Sequence, residues 1–375
     1  MVVVVRRRRS LLSVAETALQ RRAEELWRPL APEVRCRVDD CVGIHSVSYD
    51  REGGGGPVVV CLHGYGSGSG IYCSSLPLVA AKGPKVHAID MPGCGLSERR
   101  REWSRLSREE ARDLVTLRLE KWREKMAYET ISLVGHSVGA VLATAYAERF
   151  PDRVDRLVLA SPAGLPAPST PASLAWRLLW RHVSPFDVVR LFPERGRRWL
   201  AMYVDRRFRV NFKPELADYF YHNVLHSHAS LGSVLHALFL EPPGPWGPQF
   251  SKTPLEPRLA NLPSRLSFIY GTRDWMIDAP AFRIAARRPA TVAFVARASH
   301  NLQLDNPTAF ADALLAALDL RPTIPPIFVN HGNSSARRTV FPGSGQLTPS
   351  SHPTAPAAGP QAVPVLSPSS SSSSA

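Results

Sequence analysis

Residues 130–146 read TISLVGHSVGAVLATAY. Ile131, Leu133 and Val134 form an apolar run short enough for a fully buried strand. After Ser137 comes an alanine-rich run without proline, which suits a helix packed tightly on a sheet. Gly135 and Gly139 flank Ser137 two residues away on either side. A strand that turns sharply into a helix strains the residue at the corner and brings two backbones close together, so its neighbours must be small. The pattern predicts a nucleophile elbow, with Ser137 exposed at the carboxyl end of its strand and a helix N-terminus behind it. Five residues of this kind also arise by chance in a chain with 24 glycines among 375 residues, so the surroundings decide.

The surroundings are consistent with it. Residues 34–50 read as an antiparallel pair, and Val58 to Leu62 as a central parallel strand. That strand leads into His63-Gly64-Tyr65-Gly66, a loop able to converge backbone amides; the Tyr65 and Val138 amides are the candidate oxyanion hole. Val86 to Asp90 is the next strand, and Asp90 is expected to pin the turn after it. A charged helix from about Arg105 to Lys125, the elbow, and a strand over Val154 to Ser161 follow. Leu266 to Tyr270 and Val292 to Val295 resume the strands, and a helix from Pro307 to Leu320 closes the unit, with Asp305 or Asn306 as its cap. Apolar strands alternating with helices predict an α/β fold with a mostly parallel, doubly wound sheet. From Leu165 to Arg258 the alternation stops, and aromatic helical segments predict an inserted helical cap. Trp176, Leu179, Trp180 and Val183 recur there at helical spacing. His222, His226, His228 and His236 also lie there, without carboxylates to complete a site, so no metal is expected.

Ser137, Asp274 and His300 occur in that order, the last two in loops after strands on the edge where Ser137 sits. A serine hydroxyl needs a base to take its proton; His300 fits that role, with Asp274 to orient the imidazole and Asp278 as the reserve acid. This constellation resembles the α/β-hydrolase superfamily from about Val34 to Leu320. Within it, HGYG at 63–66, LEKWREK at 119–125, GHSVGA at 135–140, VLASPAGLP at 158–166, YGTRDWM at 270–276 and HNLQLD at 300–305 are similar to one branch. That branch comprises lysophosphatidic acid acyltransferase-like and N-acylphosphatidylethanolamine lipase-like hydrolases, and includes the lipid-droplet lipase coactivator. The resemblance implies that His300 and Asp305 match a shared His-x4-Asp motif proposed for acyl transfer to lysophospholipids. The residues alone leave His300 as the base and Asp305 as a helix cap. Ala140 departs from the branch, whose members usually carry a second glycine there; alanine is small enough for the elbow to survive. The branch's mammalian coactivators lack the serine that this chain keeps.

The implied activity is hydrolysis or transfer of glycerolipid acyl groups through an acyl-Ser137 intermediate, with no cofactor and acyl-CoA as a conceivable co-substrate. Two alternatives stay open: a non-catalytic lipid-surface scaffold or lipase coactivator, and a soluble small-molecule carboxylesterase. The charge of +14, from 46 Lys+Arg and 32 Asp+Glu, fits an anionic membrane or lipid-droplet surface as partner, or coding bias. No nucleic-acid module accompanies it, so nucleic acid is not expected. Five cysteines without metal-ligand spacing point to free thiols and a cytoplasmic setting. Residues 1–33 read as a basic amphipathic segment able either to lie on a membrane or to pack on the body, with an organellar transit peptide as a further reading. The expected layout is core at 34–164, cap at 165–258, core at 259–320, and a disordered Pro/Ser-rich tail at 321–375.

Overall fold

The structure, a computed structural model, describes residues 10–100, 102–103, 106–165, 185–226, 254–330 and 337–343. Helix α1 (Leu11–Trp27) precedes a hairpin of β1 (Val34–Cys41) and β2 (Ile44–Arg51). Then come β3 (Val58–Leu62), α2 (Leu76–Ala80), β4 (Lys85–Ile89), α3 (Arg108–Lys125), β5 (Ile131–His136), α4 (Val138–Arg149) and β6 (Val154–Ala160). The helices α5 (Pro185–Leu191), α6 (Pro193–Arg207), α7 (Lys213–His226) and α8 (Leu255–Leu259) follow. The sheet resumes with β7 (Arg265–Gly271), α9 (Ala279–Ala285), β8 (Ala290–Val295), α10 (Leu302–Asp305), α11 (Pro307–Ala317), β9 (Ile327–Asn330) and β10 (Arg337–Phe341). The strands make one ten-stranded sheet in the order β1-β2-β4-β3-β5-β6-β7-β8-β10-β9. From β4 to β8 every neighbouring pair is parallel, while β1, β2 and β9 are antiparallel to their partners.

Because side chains alternate along a strand, the apolar runs split into two cores. Val59, Cys61, Val134, Val158 and Ala160 point to one face, where α1, α2, α7 and α11 pack. Val60, Leu62, Leu133, Leu157 and Leu159 point to the other, against α3, α4, α8 and α9. A sheet buried on both faces is what continuous apolar strands demand. Charged surface helices sit in the crossovers; α3 begins in a capping box in which Ser107 and Glu110 exchange side-chain bonds with each other's amides, at 3.3 and 2.8 Å.

Helix α1 packs on the body. Leu12, Leu19, Ala23 and Trp27 are all within 1 % of full burial, and the first core joins them to Phe212, Leu216 and Tyr219 of the α6–α7 region. Of the two sequence expectations for this segment, the membrane-lying one is therefore set aside, since the apolar stripe is already covered. A buried charged contact fixes the helix: His45 Nε2 meets Glu16 at 2.9 Å and its Nδ1 meets Asp40 at 2.8 Å. Burial pushes the His45 imidazole down, but those two carboxylates outweigh it and raise it to about 11. The five cysteines are free. Among the described residues no helix is long and apolar enough to cross a membrane.

The expected tail needs correction. Residues 327–330 and 337–341 are strands, with β10 parallel to β8 and β9 on its outer side. The reason is the open edge of β8, whose unpaired backbone groups accept another strand. Val340 and Phe341 are buried, the Ala296 amide donates to the Phe341 carbonyl at 2.9 Å, and the Asn306 amide group donates to the Pro342 carbonyl at 3.1 Å. The aromatic spacing of Trp176 to Val183, His228, His236 and the side chain of His226 lie outside the described residues. Burying a Val or Phe side chain contributes about 1.5–3 kcal/mol each. A chain ended after Arg321 should therefore melt several degrees below the full chain in thermal unfolding; an unchanged Tm would contradict the pairing of β10 with β8.

Candidate active site

Ser137 sits between β5 and α4 with φ 54° and ψ −117°, outside the regions ordinary residues adopt. Its backbone is held on both sides: its amide donates to the Ala160 carbonyl at 2.9 Å, and its carbonyl accepts the Ala163 amide at 3.1 Å. The glycines are required by contact. A Cβ on Gly135 would lie 2.6 Å from the Ala140 Cα, and one on Gly139 2.6 Å from the Leu62 carbonyl oxygen. Ala140 is fully buried, and the corner keeps its geometry with alanine there.

The three residues expected from their order come together. Ser137 Oγ lies 3.0 Å from His300 Nε2. Behind the ring, Asp274 Oδ1 is 3.4 Å from Nδ1, long for a hydrogen bond and within ion-pair range. Burial pushes the Asp274 carboxyl up, but His300, the Ser161 hydroxyl and the Met276 amide outweigh it and hold the group below the usual carboxylate range. Asp274 is thus an anion facing an imidazole that faces a hydroxyl, an order that can move the serine proton to the ring and steady the resulting imidazolium. Asp278 is turned elsewhere and pairs with Arg338 at 2.7 Å.

Two residues that the sequence reading did not single out complete this arrangement. Ser161 follows β6 at φ 45° and donates to Asp274. His136 is fully buried, which pushes its imidazole down to about 3 and keeps it neutral; its Nε2 donates to the His300 carbonyl 2.8 Å away. A third, His63, receives the Met91 amide on Nε2 at 3.2 Å and donates from Nδ1 to the Gly64 carbonyl at 2.8 Å, so its tautomer is fixed and the loop before Tyr65 is pinned. Serine and histidine at or just past the ends of strands carry no sequence signal of such roles; only the spatial neighbours reveal them.

The Tyr65 and Val138 amides have no hydrogen-bond acceptor among the described residues. Val138 opens α4, where first-turn amides have no partner within the helix. Gly64 brings its loop against the elbow, since a Cβ there would lie 3.0 Å from His136 Nδ1 and 3.2 Å from Ser137 Cβ. The helices α5–α7 close over this loop: the Tyr65 ring stacks on Phe186 at 4.8 Å, and the Tyr219 hydroxyl accepts the Gly70 amide at 3.1 Å.

Asp305 is not the helix cap. Asn306 is, with its side chain accepting the Ala309 amide at 3.3 Å from a backbone outside the helical region. Asp305 instead accepts the Ser299 amide at 2.8 Å and meets Arg207 of α6 at 3.2 Å. Burial pushes its carboxyl up even with Arg207 beside it. For a metal, Glu16, His45 and Asp90 bring ligand atoms within 4.8 Å of one another. Their lone pairs are engaged internally, however: Asp90 by the Ser69 and Leu96 amides at 2.6 and 2.7 Å, Glu16 by the Ser69 hydroxyl and His45. This trio braces the turn after β4, the role the sequence suggests for Asp90.

Residues 57–307 match the family described as alpha/beta hydrolase fold. The chain is 32% identical over 228 residues to the abhydrolase domain-containing protein abhd-5.2 of Caenorhabditis elegans, covering 58% of this chain and 49% of that protein. It therefore spans about half the length of the nematode relative. It is 27% identical to a mouse (lyso)-N-acylphosphatidylethanolamine lipase over 67% of this chain and 76% of that one. It is 29% identical to a probable 1-acylglycerol-3-phosphate O-acyltransferase of Oryza sativa subsp. japonica, over 73% of this chain and 70% of that one.

Asp305 holds the backbone immediately before His300, and small displacements of a reacting group cost roughly a hundredfold in rate. Asp305→Asn should lower kcat for ester hydrolysis by about one to two orders of magnitude. Hydrolysis at the native rate by a folded Asp305→Asn chain would contradict a positioning role.

Proposed function

Since the chain belongs to the α/β-hydrolase fold family, in the branch that its lipase- and acyltransferase-named relatives share, we propose that it is a serine-dependent hydrolase or acyltransferase of glycerolipid acyl esters. The observation that carries this reading is the 3.0 Å contact between Ser137 Oγ and His300 Nε2, at a serine held with φ 54° and backed by an ionised Asp274. In the first half-reaction His300 Nε2 takes the Ser137 proton as Oγ attacks the acyl carbonyl carbon. The Tyr65 and Val138 amides receive the negative oxygen, a stabilisation of roughly two to three orders of magnitude in rate per donor. The carbonyl re-forms, the bond to the leaving oxygen breaks, and His300 returns the proton to that oxygen, leaving an acyl ester on Ser137. In the second half, water or a lysophospholipid hydroxyl gives its proton to His300 and attacks the same carbonyl, and Ser137 leaves as a free hydroxyl. Asp274 stabilises the imidazolium in both halves. No cofactor takes part; acyl-CoA would enter as an acyl donor.

The names of the relatives, two of which denote enzymes of glycerophospholipids, support an acyl lipid or lysophospholipid as substrate. The decisive assay is turnover of radiolabelled lysophosphatidic acid by the purified chain, with and without acyl-CoA, beside Ser137→Ala. Labelled fatty acid or phosphatidic acid should form with the native chain and fall by at least about three orders of magnitude in the variant. Equal turnover by both proteins, or none by the native chain together with no labelling of Ser137 by a fluorophosphonate, would overturn the proposal.

A further inference from the structure

Helix α6 (Pro193–Arg207) covers the body with only a narrow stripe. Gly196 rests on Val189, where a Cβ would come within 2.7 Å of its side chain, and Val204 is buried in the first core. Arg207 turns inward to Asp305. On the outward side, Arg195, Trp199, Met202, Tyr203 and Arg206, with Phe192 at the N-cap, are linked by helical spacings of three and four (192/195, 195/199, 199/202, 199/203, 202/206 and 203/206). The four apolar members are 45–50 % exposed. Large apolar side chains at adjoining positions of one helix face make a contiguous patch, unlike the scattered exposed residues of an ordinary surface.

The unpaired charge on this face is of one sign. Arg195 and Arg206 are exposed and form no ion pair among the described residues, while Asp205, three residues from Met202, is neutralised by Lys213 at 2.8 Å, and Glu194 is turned about 100° from Arg195 around the helix. Aromatic and methionine side chains interleaved with unpaired guanidiniums fit the boundary between headgroups and acyl chains, where the rings bury apolar surface and the cations meet anionic phosphates. The helix is also continuous with the site: Arg207 at its C-terminal end holds Asp305, which holds the backbone before His300.

We propose that the outward face of α6 is the surface on which the protein docks to an anionic lipid bilayer, bringing the mouth of the site to its acyl-lipid substrate. The proposal rests on the reading of Ser137 as the nucleophile of a lipid-ester enzyme, and its test separates the two. Native full-length chain, Trp199→Glu/Met202→Glu and Arg195→Glu/Arg206→Glu are floated with phosphatidylcholine vesicles with and without phosphatidylserine. Hydrolysis of a water-soluble short-chain ester and mass by light scattering are measured in parallel.

The native chain should float with vesicles that contain phosphatidylserine and less with those that do not. Both variants should bind about tenfold or more weakly while hydrolysing the soluble ester at the native rate. Binding of both variants equal to native, or no native binding to either vesicle, would overturn the proposal. So would a native dimer that Trp199→Glu/Met202→Glu splits into monomers without changing flotation, which would make this face a contact between two copies. Normal flotation with no soluble-ester hydrolysis would support the docking face and remove the catalytic reading.

Discussion

The close approach of β5 and α4 at Ser137 is the constraint on which the remaining architecture depends. Gly135 of β5 lies against the α4 backbone at Ala140 and Gly139 of α4 against the Leu62 carbonyl at the end of β3, so both positions have room only for glycine, and the serine between them is held at positive φ. Such a conformation costs on the order of 1–3 kcal/mol and persists only where the surroundings over-determine it. Here the surroundings are the carbonyl of Ala160 on β6, the amide of Ala163 beyond it, and the β3 loop pressed against the corner by Gly64. The parallel sheet buried on both faces is what holds these three strands in register, and so the fold and the geometry of one hydroxyl share a cause.

A second tier of contacts holds the groups that face that hydroxyl. The backbone around His300 is tied from two directions, by His136 to its carbonyl and by Asp305 to the preceding amide. Asp274 faces His300 and is tied by Ser161 and the Met276 amide, which together keep it ionised in a buried place. Each tie comes from a different element, so the geometry is a property of the whole sheet edge and not of one loop. Through Arg207 and the stacking of Phe186 on Tyr65, the α5–α7 helices belong to the same assembly.

Much of this was legible because strand burial and local contacts are written in short patterns. Continuous apolar runs such as Val58 to Leu62 predict a doubly covered sheet, and a serine between two glycines predicts the sharp corner. The position of Asp274 at the end of its strand favours it over Asp278, and the structure brings Asp274 to His300 while Asp278 pairs with Arg338. What was not legible depends on long-range partners. Ser161 and His136 act through residues over a hundred positions away, and their own neighbours in sequence give no hint of it. The strands β9 and β10 are short and set among prolines and serines, so their signal is the open edge of β8, which exists only in the folded sheet. The apolar stripe of α1 is the same whether its partner is lipid or Tyr219; periodicity fixes the stripe and not what covers it. Asp305 reads as a cap from its place before a proline, yet the backbone of Asn306 takes that position and frees the aspartate for Ser299 and Arg207.

The central claim is that Ser137 carries the acyl group during turnover, and the most direct measurement of it is the mass of the enzyme itself. Acid-quenching the protein within the first turnovers on a slowly deacylated glycerolipid ester, followed by digestion and mass spectrometry, reads the peptide that holds the corner. The account predicts that this peptide gains the mass of one acyl group less one hydrogen, with fragments locating it on Ser137, and that the adduct decays when water or a lysophospholipid is supplied. An enzyme that turns the ester over with that peptide unmodified, or with the acyl group on another residue, would contradict it.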